Sequence, residues 1–169
     1  MNVPSRFDRV DARITGWMGR HGLPLLRISL GIVFFWFGVL KFFPGLSPAQ
    51  DLAARTVDIL TFGAMPSTIS LPLLAAWECA IGLGLIIGKG LRLVLFFLFA
   101  QMLGTLTPVF LFPSEVFLRV PYAPTLEGQY IIKTVVLISA AIVIGATVRG
   151  GRLVADPAEI PPRRMAEFR

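Results

Sequence analysis

Residues 25–43 read LLRISLGIVFFWFGVLKFF, nineteen positions with only two charges, Arg27 and Lys41. As a helix this stretch is about 28 Å long, the thickness of the hydrocarbon layer of a bilayer. A helix in water would show a polar stripe every three or four residues, and none occurs between Ser29 and Lys41. The stretch therefore reads as a membrane span. It is longer than the apolar core of a signal peptide, and Ser47-Pro48-Ala49 is a poor cleavage site, so the span is expected to be retained.

The other apolar runs repeat this pattern. Hydrophobic residues make up 55% of the 169 and charged residues only 15%, gathered between the runs. The net charge of +6 then speaks for topology and anionic lipid headgroups, and no nucleic-acid partner is expected. A single cysteine, Cys79, excludes an internal disulfide or a CxxC relay. With one histidine, His21, outside the spans, no haem is expected, and no metal-ligand spacing is present.

Residues 1–22 form a basic segment in which Phe7, Val10, Ile14, Trp17 and Met18 recur at helical spacing. That pattern predicts an amphipathic helix with Trp17 at the lipid interface. The membrane domain occupies 23–148, with spans at about 25–43, 69–88, 93–112 and 129–148. Pro44-Gly45 breaks the chain after the first span. Ser47, Pro48 and Gln50 then read as cap, first helical position and capping box of a short surface helix over 47–62, which Gly63 and Pro66 stop. On it Asp51, Arg55 and Asp58 form a charged stripe opposite Ala53, Val57 and Leu60. In the second span Ala76, Ala80 and Gly84, and Ala75 and Cys79, form small-residue rows that admit a close neighbour, in this chain or in a second copy. Pro108 predicts a kink in the third span. Residues 113–127 read as a loop, and 149–169 as a basic tail.

Twelve of the sixteen Lys and Arg residues lie in the N-terminal stretch through Arg27, the 88–92 turn and the tail. The positive-inside rule then places both termini in the cytoplasm. The expected fold is an all-α integral-membrane antiparallel four-helix bundle with a surface helix after the first span.

Charge inside a bilayer costs about 2.5–3.5 kcal/mol per group at mid-depth, so each polar residue there needs a partner or a use. Glu78, Gln101, Thr105 and Lys133 fall in one layer of the outer half when depth is counted at about 1.5 Å per residue. Lys41, near the outer end of the first span, could bend its stem toward them. One reading is a pocket open to the outer face, with Glu115, Glu127 and Tyr122 as loop neighbours. The other is a structural Glu78–Lys133 pair that locks the helices while Lys41 only snorkels. Cys79 reads as a small packing residue, and Phe34, Phe35 and Phe37 as lipid-facing or packing surface.

Three stretches carry a resemblance. RISLGIVFFWFGVLKFFPG (27–45), WECAIGLGLIIGKGLR (77–92) and EGQYIIKTVVLISAA (127–141) together resemble the DoxX-like membrane protein superfamily, including its reactive-chlorine-resistance relatives. In the family's fourth span a Lys follows a Gly by a few residues, as Lys133 follows Gly128. An acid typically comes next, where this chain has Thr134. The resemblance implies a small four-helix protein of the bacterial inner membrane. It further implies a subunit of a quinone-linked oxidoreductase, such as thiosulfate–quinone oxidoreductase, or of an oxidative-stress complex.

A quinone headgroup or another small substrate is then the expected ligand, and a partner redox subunit the source of electrons, since this chain carries no redox group. Glu78, Gln101, Thr105, Lys133 and Lys41 are the candidate binding residues. Two further functions remain open: a small proton-coupled transporter titrating Glu78, working as a homo-oligomer, and an assembly or anchoring factor for a larger membrane complex.

Overall fold

Hydrocarbon offers a backbone no hydrogen bonds, so each apolar run must satisfy its own as a helix. The computed structural model describes residues 6–43, 45–47, 49–151 and 153. In chain order its elements are α1 (Arg6–Leu40), α2 (Gln50–Leu60), α3 (Ser67–Ile87), α4 (Leu91–Leu106), α5 (Pro108–Leu111), α6 (Pro113–Val116), β1 (Phe117–Arg119), β2 (Ala123–Pro124) and α7 (Leu126–Thr147). Four stretches are long and apolar enough to cross a membrane: Val10–Leu40, Ser67–Ile87, Leu91–Leu111 and Leu126–Thr147. The protein is a multi-pass membrane protein with an all-α bundle.

Successive spanning helices run antiparallel, in the ring order α1, α3, α4, α7. Gly38 of α1 meets Cys79 of α3 while Gly31 meets Gly82 and Ile86. Trp77 of α3 reaches Phe97 of α4, Leu95 of α4 lies beside Gly145 of α7, and α7 packs on α1 to close the ring. The core between them is apolar: Leu30, Phe34, Leu85, Leu98, Met102 and Ile144 are among its buried members.

The α1–α3 contact is the tightest. A Cβ on Gly31 would lie 2.8 Å from Ile86 Cγ1 and 2.9 Å from the Gly82 carbonyl oxygen, and one on Gly38 would lie 2.9 Å from the Cys79 nitrogen. Without hydrophobic drive between helices in lipid, such backbone proximity supplies the dispersion contact that holds them together. Of the small-residue rows read from sequence, Ala75–Cys79 lies on this seam, with Gly82 next along it. Ala76 and Ala80 are exposed.

Several boundaries differ from expectation. The amphipathic segment and the first span are one continuous helix of 35 residues, about 52 Å long. Pro24 lies inside it, removing one hydrogen bond without ending it. Its N-terminal apolar stripe is exposed, Trp17 by 51%. At the other end α1 stops at Leu40, not at residue 43. Lys41, Phe42 and Phe43 donate back to Gly38, Val39 and Leu40 in tightened turns at 3.1–3.2 Å. Since Gly38 stands opposite Cys79, eleven residues short of Thr68 and far from the start of α3, α1 ends in mid-bundle.

α2 fills the space above. Its cap residue is Ala49 in the left-handed region (φ 55), without a side-chain cap. The Gln50 side chain turns the other way and accepts from the Gly45 amide at 3.2 Å. The expected Pro44 break and Pro48 start lie outside the described residues, as does most of the tail. The buried face of α2 is Leu52 and Thr56, while Leu60 is exposed. The stripe is turned because Leu52 seats against Val116 and Ile131.

The third span breaks at Thr107, and Pro108 opens α5, the kink its missing amide calls for. The expected loop 113–127 is partly ordered: α6 leads into a two-stranded hairpin, β1 with β2. Thr125 caps α7, accepting from the Gly128 amide at 3.0 Å while its hydroxyl donates to the Glu115 carbonyl at 2.7 Å. This starts the fourth span three residues early, so Lys133 lies two turns inside it, not one.

Arg55 fastens α2 to α6. Its Nη1 donates to Glu115 Oε1 at 2.8 Å, its Nη2 to Oε2, and its guanidinium lies 5.1 Å from the Phe112 ring centroid. The Arg55 hydrogen bond holds the Glu115 carboxyl below its ordinary value of about 4.5. The same bond pushes the Arg55 guanidinium up. The pair is exposed, so its stabilisation is small.

Two outcomes follow for unfolding measured in detergent. Gly82→Val should destabilise by about 1–3 kcal/mol or more through overpacking, whereas Gly22→Ala, where a Cβ meets nothing within 4 Å, should be neutral or slightly stabilising. Glu115→Gln should cost a little at neutral pH. A depressed carboxyl contributes above its unfolded value and loses that contribution as the pH falls through the folded one. Parent and variant should therefore converge in strongly acidic buffer.

Candidate functional site

Because α1 ends in mid-bundle, Lys41 leaves the helix at the depth of Glu78. Its Nζ donates to Glu78 Oε2 at 2.6 Å. From α4, Gln101 Nε2 donates to the other oxygen, Oε1, at 2.8 Å. The lysine and glutamate side chains are 15% and 10% exposed. Both carboxylate oxygens thus have a donor, and the buried charge is neutralised at contact distance, the two conditions a buried ion pair needs. Thr105, one turn above Gln101, donates its hydroxyl to the Gln101 carbonyl at 3.0 Å and fixes that turn of α4.

This corrects the pairing expected from sequence. Lys41 is the partner of Glu78 and does not snorkel away. Lys133 does not pair with Glu78. It is exposed, with its Nζ 5.7 Å from the Tyr130 ring centroid, and among the described residues it makes no ion pair.

The polar cluster forms the floor of a cavity of about 560 Å³ in the half of the bundle that α2 covers. Lys41, Glu78, Gln101, Thr105 and Lys133 all line it. They come from the end of α1 and from α3, α4 and α7, so one space gathers side chains from every spanning helix. The rest of the wall is mainly apolar and aromatic, including Phe34, Phe37, Leu73 and Trp77. The roof is α2, through Leu52, Ala53, Thr56 and Val57. Of the expected loop neighbours, Glu127 lines the cavity. Glu115 is held by Arg55 and lines an adjoining polar recess, and Tyr122 lies on the surface, 71% exposed. Phe34 and Phe37 belong to the wall, so the Phe-rich stretch serves the cavity as well as the packing. Cys79 sits against Gly38 in the helix seam.

Three features were missed. Ser70 is 2% exposed and lines the cavity, and its hydroxyl has no hydrogen-bond partner among the described residues. Trp77 and Thr134 also line the wall. Ser70 lies near the start of the second span, where a serine is ordinary. Only the placement of α2 above it makes that position buried.

The floor has unspent capacity. Lys41 has three donors and uses one on Glu78. Gln101 uses one N–H, leaving a second N–H and its carbonyl oxygen. The cluster can therefore both donate to and accept from a neutral headgroup, while its own net charge is close to zero.

Removing one partner should show how far each depends on the other. Lys41→Met leaves Glu78 buried and unpaired and should cost about 3–5 kcal/mol, whereas Lys41→Met with Glu78→Met should come within roughly 1 kcal/mol of the parent. Unfolding in detergent of the single and double variants measures both.

The family model for DoxX matches residues 22–112. No curated protein matches the chain, and no solved structure does.

Proposed function

This chain belongs to the DoxX family, and from that footing we propose that it is a ligand-binding subunit of a membrane redox or oxidative-stress system, with a quinone headgroup as its ligand. One observation carries the reading: polar side chains borne by or adjoining all four spanning helices line one mainly apolar cavity, with Lys41, Glu78 and Gln101 joined on its floor. About 560 Å³ falls within the range that holds a drug-sized molecule.

The residues fit the group. Lys41 donates to a ring carbonyl oxygen, and the Gln101 carbonyl accepts from a ring hydroxyl in the reduced form. Phe37 and Trp77 offer apolar and aromatic surface to the ring face. Bound quinone would supply the electron-accepting chemistry. The chain's own part is to hold the headgroup, exclude water from it and offer hydrogen bonds to either redox form. Electrons come from a partner subunit. The basic ends and the positive-inside rule favour a cytoplasmic location for both termini in a bacterial inner membrane.

The transporter reading has less support. Below Glu78 the bundle is filled by Leu85, Leu98 and Ile144, each at most 1% exposed, which leaves the cavity a dead end on that side.

A short-chain benzoquinone added to the purified protein should raise its Tm, since a ligand of the folded state stabilises it by mass action. Gln101→Leu should weaken that binding about tenfold, a loss of roughly 1.4 kcal/mol, while the apo protein stays folded. A parent protein whose Tm ignores the quinone across its soluble range would defeat the proposal.

A further inference from the structure

The cavity, read as a binding site, has to be filled from somewhere, and its walls differ. α2 covers the top: its Leu52 and Thr56 are 5% and 4% exposed, and Arg55 holds it to Glu115, while Leu60 of α2 and Leu73 of α3 line the cavity from an exposed edge. The α3–α4 flank is bridged. Trp77 Nε1 donates to the Phe97 carbonyl at 3.3 Å, and the two rings meet edge-on at 5.2 Å. The floor is packed below Glu78.

Among the described residues the α1–α7 flank has no such bridge. Val33 and Phe37, one turn apart on α1, and Tyr130 and Lys133, one turn apart on α7, line the cavity and are exposed. α7 packs on α1, with Tyr130 and Lys133 near the α2 end of this flank and Val33 and Phe37 further along it. Where α1 stops at Leu40, that packing ends as well. Lys133 lies back over Tyr130, towards the outer end of α7, which keeps its charge off the apolar part of the gap.

Resting on the reading of the cavity as a quinone site, we infer that the ligand enters sideways from the bilayer between α1 and α7, and that it carries an apolar chain. The headgroup sits at Lys41 and Gln101, and the chain leaves past Val33 and Phe37. Volume supports this. A drug-sized space accommodates a ring and the first part of a chain, so the remainder of a long apolar tail lies outside. The only apolar medium outside that flank is lipid. A ligand entering from water would instead have to lift α2 and part Arg55 from Glu115.

The test uses protein in lipid nanodiscs with Trp17→Phe, Trp36→Phe and Cys79→Ser, so that Trp77 on the cavity wall reports quenching. The probes are a dimethoxy-methyl-benzoquinone with a decyl chain and the same ring without it. A further Trp77→Phe exchange gives the background. The decyl form should quench at concentrations at least tenfold lower than the bare ring. Val33→Phe should slow its quenching at least tenfold, and Tyr130→Ala should speed it.

Arg55→Cys and Glu115→Cys joined by a bis-maleimide should leave the rate within twofold. Unchanged rates in Val33→Phe and Tyr130→Ala, together with loss of quenching in the cross-linked protein, would overturn the lateral route and place entry beneath α2. Equal potency of the two probes would overturn the need for a chain. Absence of quenching by either probe in the reporter protein would instead overturn the binding reading beneath it.

Discussion

A carboxylate in hydrocarbon is tolerated only when its charge is met at contact distance and its oxygens are hydrogen-bonded. Glu78 meets both conditions through Lys41 and Gln101, and much of the architecture follows from satisfying them. Lys41 can reach Glu78 because Gly38, one turn before it, stands against Cys79 and the Cβ of Glu78 in the middle of α3. The short α1 leaves the half of the bundle beneath α2 one helix thin, and that missing volume is the cavity. α2 covers it, since an open apolar hollow with a charged floor would flood.

The glycine seam is the counterpart of this arrangement. With α1 cut short, its remaining contact with α3 must be close, and Gly31, Gly38 and Gly82 let the backbones approach. Gly38 has a double part. It brings α1 against Cys79 and the Cβ of Glu78, and its carbonyl receives the Lys41 amide that begins the exit turn. Stability and site geometry are therefore set by the same residues, and a substitution in the seam would shift the lysine as well as weaken the bundle.

The four spans were legible in the sequence because each is an uninterrupted apolar run of bilayer length, and lipid leaves such a run no alternative to helix. The membership of Glu78, Gln101, Thr105, Lys133 and Lys41 in one layer was legible too, because depth follows from a fixed rise per residue. Which lysine pairs with Glu78 was not. Counting depth does not say which lysine the Glu78 carboxylate faces: that is set by Gly38, one turn before Lys41, which stands against Cys79 and the Cβ of Glu78. The seating of Gly38 on α3 is a tertiary contact, as is the binding of Thr125 to the Glu115 carbonyl at the start of α7. Neither tertiary contact leaves a periodic trace. The buried face of α2 was misread for a related reason: Leu60 and Leu52 are equally apolar, and only the position of Val116 chooses between them.

The charges explain why such a floor suits a neutral ligand. Had Glu78 been left with Gln101 alone, the cavity would hold a net negative charge that would draw a cation or a proton. Had Lys41 stood alone, it would draw an anion. Paired at 2.6 Å, the two cancel at distances beyond a few ångströms but keep the directional donors of the ammonium. What remains is a dipolar surface in an apolar enclosure, able to recognise oxygen atoms without paying to desolvate a charged ligand. A carbonyl or hydroxyl on an apolar body loses little on leaving the bilayer for such a place, and regains its hydrogen bonds on arrival. Lys133, which has no such counter-charge, lies at the exposed flank, where its ammonium can reach towards the headgroup layer, and the interior keeps only the charge that it can neutralise.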